Sequence, residues 1–308
     1  MKASIFIVAL LVVSTFARHP VNQQIVDEIK KSTNLWTPTE PEDNIFRFHS
    51  EEKIKGMMGT KIDLDRDMQK AVELGLNDYY EGEYEAVPAE FDSREQWSEC
   101  DFDIKDQGQC GSCWAFGAVE TLEDRLCIAT SGEFNSDLSE QNVVSCDWVG
   151  FGCEGGWPLS AFGYLSLIGT PTEECIPYTS GQSGSGWGCS YKCEDSSVSN
   201  KLYKCKYPWI NFTKNGIKSE ILSGGPVETA FDVYEDFMSY KSGIYEHTTG
   251  GYLGGHAVKI MGWGVEDEVK YWLAANSWST SWGDNGYFKI KEGSCGFASA
   301  GYSCTPWA

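Results

Sequence analysis

Twelve cysteines, all lying between residues 100 and 304 and none in the first 99, constrain this 308-residue chain more than any other feature. So many thiols in one stretch point to an oxidising compartment and a disulfide framework. An even count would let every thiol pair and leave none for chemistry. Spacing alone does not fix which partners meet. The cysteine-bearing part, residues 87–308, is long enough for one large shared core or two small domains.

The residues ahead of it differ in kind. Lys2 precedes an apolar run from Ile5 to Val13, and Thr15-Phe16-Ala17 supplies small residues at a cleavage site. Residues 1–17 therefore read as a signal peptide; a short N-terminal anchor would need a stop-transfer pattern that does not follow. Residues 18–86 carry charged clusters such as Glu51-Glu52-Lys53-Ile54-Lys55 and end in Tyr79-Tyr80-Glu81-Gly82-Glu83-Tyr84-Glu85. Without cysteines they cannot be stapled, and they are too polar to bury a core of their own. The net charge of −21 argues against nucleic acid and anionic membranes as partners. No metal-ligand set, phosphate loop or repeat is visible, so no cofactor and no metal are expected.

Chemistry concentrates in three places. Asp106-Gln107-Gly108-Gln109-Cys110-Gly111-Ser112-Cys113-Trp114-Ala115-Phe116 opens onto a run in which Ala115, Ala118, Val119, Leu122 and Leu126 recur at helical spacing, which puts Cys113 in the first turn of a buried helix. A helix N-terminus favours a thiolate. The same residues also read as disulfide partners or as a C-x-x-C redox or zinc pair. The second place is His256, at the entrance of the strand-like Ala257-Val258-Lys259-Ile260; of the four histidines, His19 and His49 lie in the N-terminal segment and His247 falls in a polar turn, where it reads as a solvated loop residue. The third is Asn276, at the end of Tyr271-Trp272-Leu273-Ala274-Ala275, with Trp278 beside it. A thiol, an imidazole and an amide are the parts of a nucleophile, its base and the base's orienting group.

With Phe91-Asp92-Ser93-Arg94-Glu95-Gln96-Trp97, Cys153-Glu154-Gly155-Gly156-Trp157-Pro158, Gly225-Pro226-Val227-Glu228 and Tyr240-Lys241-Ser242-Gly243-Ile244-Tyr245 standing in the same order, the chain from about residue 87 to 304 resembles papain-family cysteine proteases of the cathepsin B type. The resemblance implies an α+β, papain-like two-domain fold: a helical part over about 100–200, a β-barrel-like part over about 205–300, and a cleft between them. Helices are expected from Cys113, from near Ser139 and over Leu159–Leu167, a loop over Ser180–Trp187, and short strands after Gly225, including Tyr287–Lys291. It further implies a Cys113 nucleophile, a His256 base oriented by Asn276 and shielded by Trp278, and an oxyanion site made by the Gln107 amide and the Cys113 backbone N–H. Gly155 and Gly156 would form an open edge for substrate backbone, beside Trp157. Pro158, Ala230, Ala257 and Ala300 would line the pocket for the second residue before the scissile bond (P2).

The implied disulfides are Cys100–Cys127, Cys110–Cys153, Cys146–Cys189, Cys175–Cys193 and Cys205–Cys304, leaving Cys113 free and Cys295 as an inert buried thiol. Residues 18–86 would be a propeptide that crosses the cleft in the unproductive direction. Expected partners are polypeptide substrates, the chain's own propeptide and cystatin-type inhibitors, for a monomer travelling the secretory pathway to an acidic lysosome-like compartment or the exterior. Asn211-Phe212-Thr213 is the single N-glycosylation sequon. A catalytically silent binding protein of the same fold, or a thiol redox protein, are the alternatives.

Two departures shape the specificity expected. Cathepsin B carries adjacent histidines on an occluding loop, whereas no histidine lies between residues 50 and 246 here and the stretch from Ile176 to Cys189 is short. The pocket position occupied by a glutamate in cathepsin B is Ala300. An endopeptidase with an apolar P2 preference is therefore expected.

Overall fold

A computed structural model describes residues 19–76 and 87–308. The proposed signal peptide and the Tyr79–Glu85 stretch lie outside the described residues. The N-terminal segment holds α1 (Gln23–Ser32), β1 (Trp36–Pro38), α2 (Glu51–Gly56) and α3 (Leu64–Leu74). Each of its helices has a side-chain N-cap: Asn22 accepts from Ile25 N–H, Ser50 from Lys53 N–H and Asp63 from Arg66 N–H. The cysteine-bearing part continues with β2 (Phe91–Asp92), α4 (Ser93–Gln96), α5 (Cys113–Ala129), α6 (Glu140–Cys146), α7 (Pro158–Leu167) and α8 (Ser180–Ser183). It ends with β3 (Cys205–Asn211), α9 (Lys214–Gly224), β4 (Val227–Tyr234), β5 (Tyr240–Tyr245), β6 (Tyr252–Glu266), β7 (Val269–Ala275), β8 (Tyr287–Lys291) and β9 (Gly301–Pro306). The loop expected at Ser180 thus contains one helical turn, and the β-rich part holds the helix α9. Among the described residues no helix is long and apolar enough to cross a membrane.

The strands join in the order β1-β5-β8-β7-β6-β4-β9-β3, with β2 paired to β6; β5 and β8 run parallel and the other pairs antiparallel. Aromatic side chains fill the sheet's core, with Phe231, Phe237, Trp272, Trp278, Trp282 and Phe288 all buried. Helix α5 is buried on every side. Its apolar face, Trp114, Ala118, Val119, Leu122 and Leu126, packs with Val143, Phe162 and Leu165 of α6 and α7. Its polar residues form a seam to the sheet: Lys259 of β6 reaches Asp124 at 2.6 Å and Glu120 at 3.6 Å. Arg125 donates to the Pro226 and Gly225 carbonyls and pairs with Glu220 at 2.7 Å. Two walls are thereby held at a fixed separation by a helix that belongs to both.

Among its described residues the N-terminal segment forms no core of its own. Val21, Ile25, Ile29, Trp36, Phe46, Ile54 and Met57 are buried in the cluster that contains the sheet's aromatics. Strand β1 extends the sheet by pairing with β5, and the Trp36 ring meets Tyr245 edge-on at 5.2 Å. Five disulfides form, Cys100–Cys127, Cys110–Cys153, Cys146–Cys189, Cys175–Cys193 and Cys205–Cys304, and Cys113 and Cys295 stay free. His247 is not merely a solvated loop residue: its ring stacks on Tyr234 with centroids 3.8 Å apart, and its Nδ1 lies 3.1 Å from the buried Asp236. Asn211 is buried, its Oδ1 accepting from the Thr213 N–H and hydroxyl, while Thr213 of the same sequon is exposed.

Candidate active site

Cys113 is the first residue of α5, and the Ser112 side chain, engaged with the Tyr178 hydroxyl at 2.8 Å, does not cap the helix. The helix N-terminus therefore keeps its uncompensated N–H groups and positive end beside the sulfur. Across the cleft, β6 carries His256 and Ala257. The Ala257 backbone N–H lies close enough to the Cys113 sulfur to favour its thiolate, which places the residue after the histidine beside the nucleophile. His256 Nε2 and Asn276 Oδ1 are 2.8 Å apart. An amide oxygen can only accept, so Nε2 carries the proton and Nδ1 keeps its lone pair. Nδ1 has no hydrogen-bond partner among the described residues. The Trp278 ring stacks on the imidazole at 4.7 Å between centroids, and closes its outer face to water.

Gln107 is fixed from two sides. Its backbone N–H donates to the Ser277 carbonyl, and its Oε1 accepts from the Ser277 hydroxyl at 2.8 Å. That leaves the Nε2 protons to the Cys110 carbonyl at 2.8 Å and the Met57 carbonyl at 2.9 Å. A backbone carbonyl from the N-terminal segment thus occupies a donor beside the thiol. Ser277 is a site residue that motif reading missed, although it sits inside Asn276-Ser277-Trp278.

The segment continues through the cleft from Met57. Thr60 Oγ1 lies 3.0 Å from Cys113 Sγ. Gly59 passes so close to Gly111 that a Cβ on it would stand 1.8 Å from the Gly111 carbonyl oxygen. Gly156 donates to the Gly59 carbonyl and accepts from Lys61 N–H, each at 2.9 Å, as a parallel bridge. Gly155, at φ +105°, has the same strand against it, where a Cβ would meet the Gly59 carbonyl oxygen at 2.2 Å. The disulfide Cys110–Cys153 ties this glycine edge to the loop that leads into Cys113.

Beyond the edge, Pro158 begins α7, Ala230 and Ala257 face each other across β4 and β6, and Ala300 precedes β9. Helix α3 covers this wall. Its Ala71 packs in the cluster of Leu159, Ala300 and Tyr302, and its buried Asp67 accepts the Tyr302 hydroxyl at 2.6 Å. Arg66 of the same helix lies over Trp157 at 4.2 Å. Glu228 is fully buried near the thiol with both carboxyl oxygens unpartnered among the described residues, and burial raises its pKa well above the carboxylate range.

Covered in this way, the pair is held uncharged. Burial pushes the Cys113 thiol up, against the opposing contacts of Thr60 and of the Ala257, Gly59 and Trp114 backbone. Burial also pulls His256 down to about 4, with the Asn276 hydrogen bond opposing it. Cys110 is locked to Cys153, which removes the C-x-x-C redox reading of Cys110 and Cys113.

The profile of the papain family cysteine proteases matches residues 87–305. A gut-specific cysteine proteinase of Caenorhabditis elegans is 46% identical over 239 residues, covering 70% of this chain and 72% of that protein. A cathepsin B-like protein, CP3, of Giardia intestinalis is 45% identical over 206 residues, covering 66% of this chain and 69% of its own length. Among solved structures, procathepsin B S9 of Trypanosoma congolense superposes with a TM-score of 0.84 at 28% identity, covering 94% of this chain and all of that one. Procathepsin L2 of Tenebrio molitor gives a TM-score of 0.68 at 30% identity, covering 88% of this chain and 84% of that one. Because the likeness takes in the cysteine-bearing part and, in the proform structures, the segment that fills its cleft, the chain belongs to the papain family of cysteine proteases.

Proposed function

We propose that this cathepsin B-like cysteine endopeptidase, made as a zymogen, uses Cys113 as nucleophile, His256 as base, Asn276 as the partner that orients the ring, and Gln107 with the Cys113 N–H as the oxyanion site. The observation that carries the reading is the Met57 carbonyl on Gln107 Nε2, a stand-in for the carbonyl oxygen of a bound peptide. When substrate replaces the segment, His256 Nδ1 takes the Cys113 proton and a thiolate–imidazolium pair forms beside the helix N-terminus. The thiolate adds to the peptide carbonyl carbon, and the oxygen gains negative charge in front of Gln107. Collapse expels the amine, which takes the imidazolium proton, and water activated by His256 then releases the acyl group. The segment itself escapes because it pairs with Gly156 in the parallel sense, opposite to that of a cleavable peptide.

Residues 1–17 serve in this reading as signal peptide, residues 18–86 as inhibitory propeptide, and the active protein begins near Val87; its route is the secretory pathway. N-terminal sequencing after activation checks the boundary, and a start upstream of Trp36 would exclude it. Self-inhibition is tested by thiol labelling. A peptide epoxide is expected to modify Cys113, which has 0% exposure in the intact chain, at least about 100-fold more slowly before removal of the segment than after. Equal rates would rule out a blocking role.

Specificity follows from what the cleft lacks. Without the paired histidines of an occluding loop, long internally quenched peptides should be cut in the interior, and dominant release of C-terminal dipeptides would count against the assignment. Ala230, Ala257, Ala300 and Pro158 offer a P2 guanidinium no carboxylate among themselves, so its lost hydration goes uncompensated. A substrate library is expected to rank Leu, Val or Phe above Arg at P2 by about 10-fold or more; the reverse order would refute the subsite.

A further inference from the structure

The segment leaves an imprint of one subsite that the catalytic groups do not explain. Its strand passes from Met57 at Gln107, through Thr60 at Cys113, to Lys61, whose N–H bonds Gly156 and whose side chain lies on two rings. Lys61 Nζ stands 3.8 Å from the Phe151 ring centroid and 4.8 Å from that of Trp157. Arg66 adds a guanidinium 4.2 Å from Trp157. The two rings sit 5.8 Å apart at 59° and form an open corner. Lys61 has no ion pair among the described residues, so the rings are what its ammonium meets. Phe151 keeps 46% exposure even with Lys61 on its ring, so its face is accessible from solvent.

We propose that Phe151 and Trp157 form a cation-selective subsite that favours Lys or Arg at the third residue before the scissile bond. The inference rests on the proteolytic reading of the same cleft. A peptide that meets Cys113 with its carbonyl in front of Gln107 and pairs with the Gly156 edge at P2 runs opposite to the segment. The residue it then places where Lys61 lies is the next one toward its N-terminus, P3. An aromatic face attracts a cation through its quadrupole, and two faces set at an angle hold it better than one. Lysine and arginine also lay apolar stems along such rings. The apolar P2 pocket and the cationic P3 corner together define the substrate class as basic–apolar pairs.

Two experiments decide it. Fluorogenic peptides differing only at P3, as Lys, Arg, norleucine or Glu, are turned over by the activated enzyme. The Lys to norleucine ratio of kcat/KM is expected at about 3–10, falling to about 1–2 in Phe151→Leu and persisting in Phe151→Tyr. Because each ratio is taken within one enzyme, active-site content cancels. A ratio near 1 in the wild type, or one unchanged by Phe151→Leu with Trp157→Leu, overturns the subsite; the latter outcome would assign the preference to the general acidic field.

The second experiment needs no turnover. In the intact chain, Lys61→Met keeps the stem and removes the charge, and Cys113 alkylation reports how often the segment opens. Alkylation is expected to quicken about 3–10-fold in the wild-type background and little in the Phe151→Leu, Trp157→Leu background. Equal quickening in both backgrounds overturns the subsite. If no peptide is hydrolysed at all, the proteolytic reading fails, while this cycle still decides whether the rings select a cation.

Discussion

Cys113→Ala is expected to lower kcat for peptide hydrolysis by about 10⁴–10⁶-fold while leaving the chain folded, and His256→Ala by a similar factor. Each removes a member of a unit that works only when complete, so the double variant should be scarcely worse than either single one. Gln107→Ala is expected to lower kcat by about 10²–10³-fold with little change in KM, since its Nε2 donor faces an oxygen whose charge develops only in the transition state. Steady-state kinetics makes the comparison on preparations whose N-terminal segment has been removed by an added protease and whose concentration is fixed by absorbance, with the Cys113-bearing enzymes also counted by covalent titration of that thiol. A Cys113→Ala enzyme retaining a tenth of the wild-type rate would remove the nucleophile assignment. Ser277→Ala should produce a milder form of the Gln107 defect, because the Ser277 hydroxyl holds the glutamine oxygen at 2.8 Å.

Lys259→Ala is expected to destabilise the protein by about 3–5 kcal/mol, because it strands Asp124 and Glu120 in the seam between α5 and the sheet. For a chain of this size that is roughly a 10 °C fall in Tm. Acid should soften the defect. Burial raises Glu120 to about 8 and its α5 neighbour Glu123 to about 7, and it also raises Asp124. A carboxyl whose folded pKa exceeds its unfolded one contributes stability that is complete below about 4.5 and is lost as pH rises through the folded value. The wild type should therefore melt higher at pH 5 than at pH 8, and Lys259→Ala should differ less from it at pH 5. A melting temperature that climbs steadily from pH 5 to pH 8 would show that the seam does not govern stability.

Motifs made the site legible because its parts are local. The Cys113 helix reads from its apolar spacing, and Asn276 reads from its place after an apolar strand. The five disulfides follow from family resemblance alone, since twelve thiols admit many pairings and only the folded chain selects one. What stayed hidden was long-range. The resemblance puts the segment across the cleft, but nothing in the sequence says that Thr60 meets the Cys113 sulfur or that Lys61 meets Phe151, and the hold of Ser277 on Gln107 spans 170 positions. Helix α9 was obscured by the glycines at its end, and His247 looked solvated because its partner, Asp236, lies in a different turn. The polar content of the N-terminal segment concealed how many of its few apolar residues are buried, as they complete another core instead of forming one.

The pairing of β1 with β5 has a consequence for the protein after activation. Loss of residues 36–38 converts β5 from an inner strand to a rim, with the amide and carbonyl groups that met Leu35 and Thr37 turned toward water. A bare rim invites stacking by other extended chains. Here it is only six residues long and carries Lys241 and Ser242 exposed upon it, a charge and a hydroxyl suited to keep the ripened enzyme from self-association.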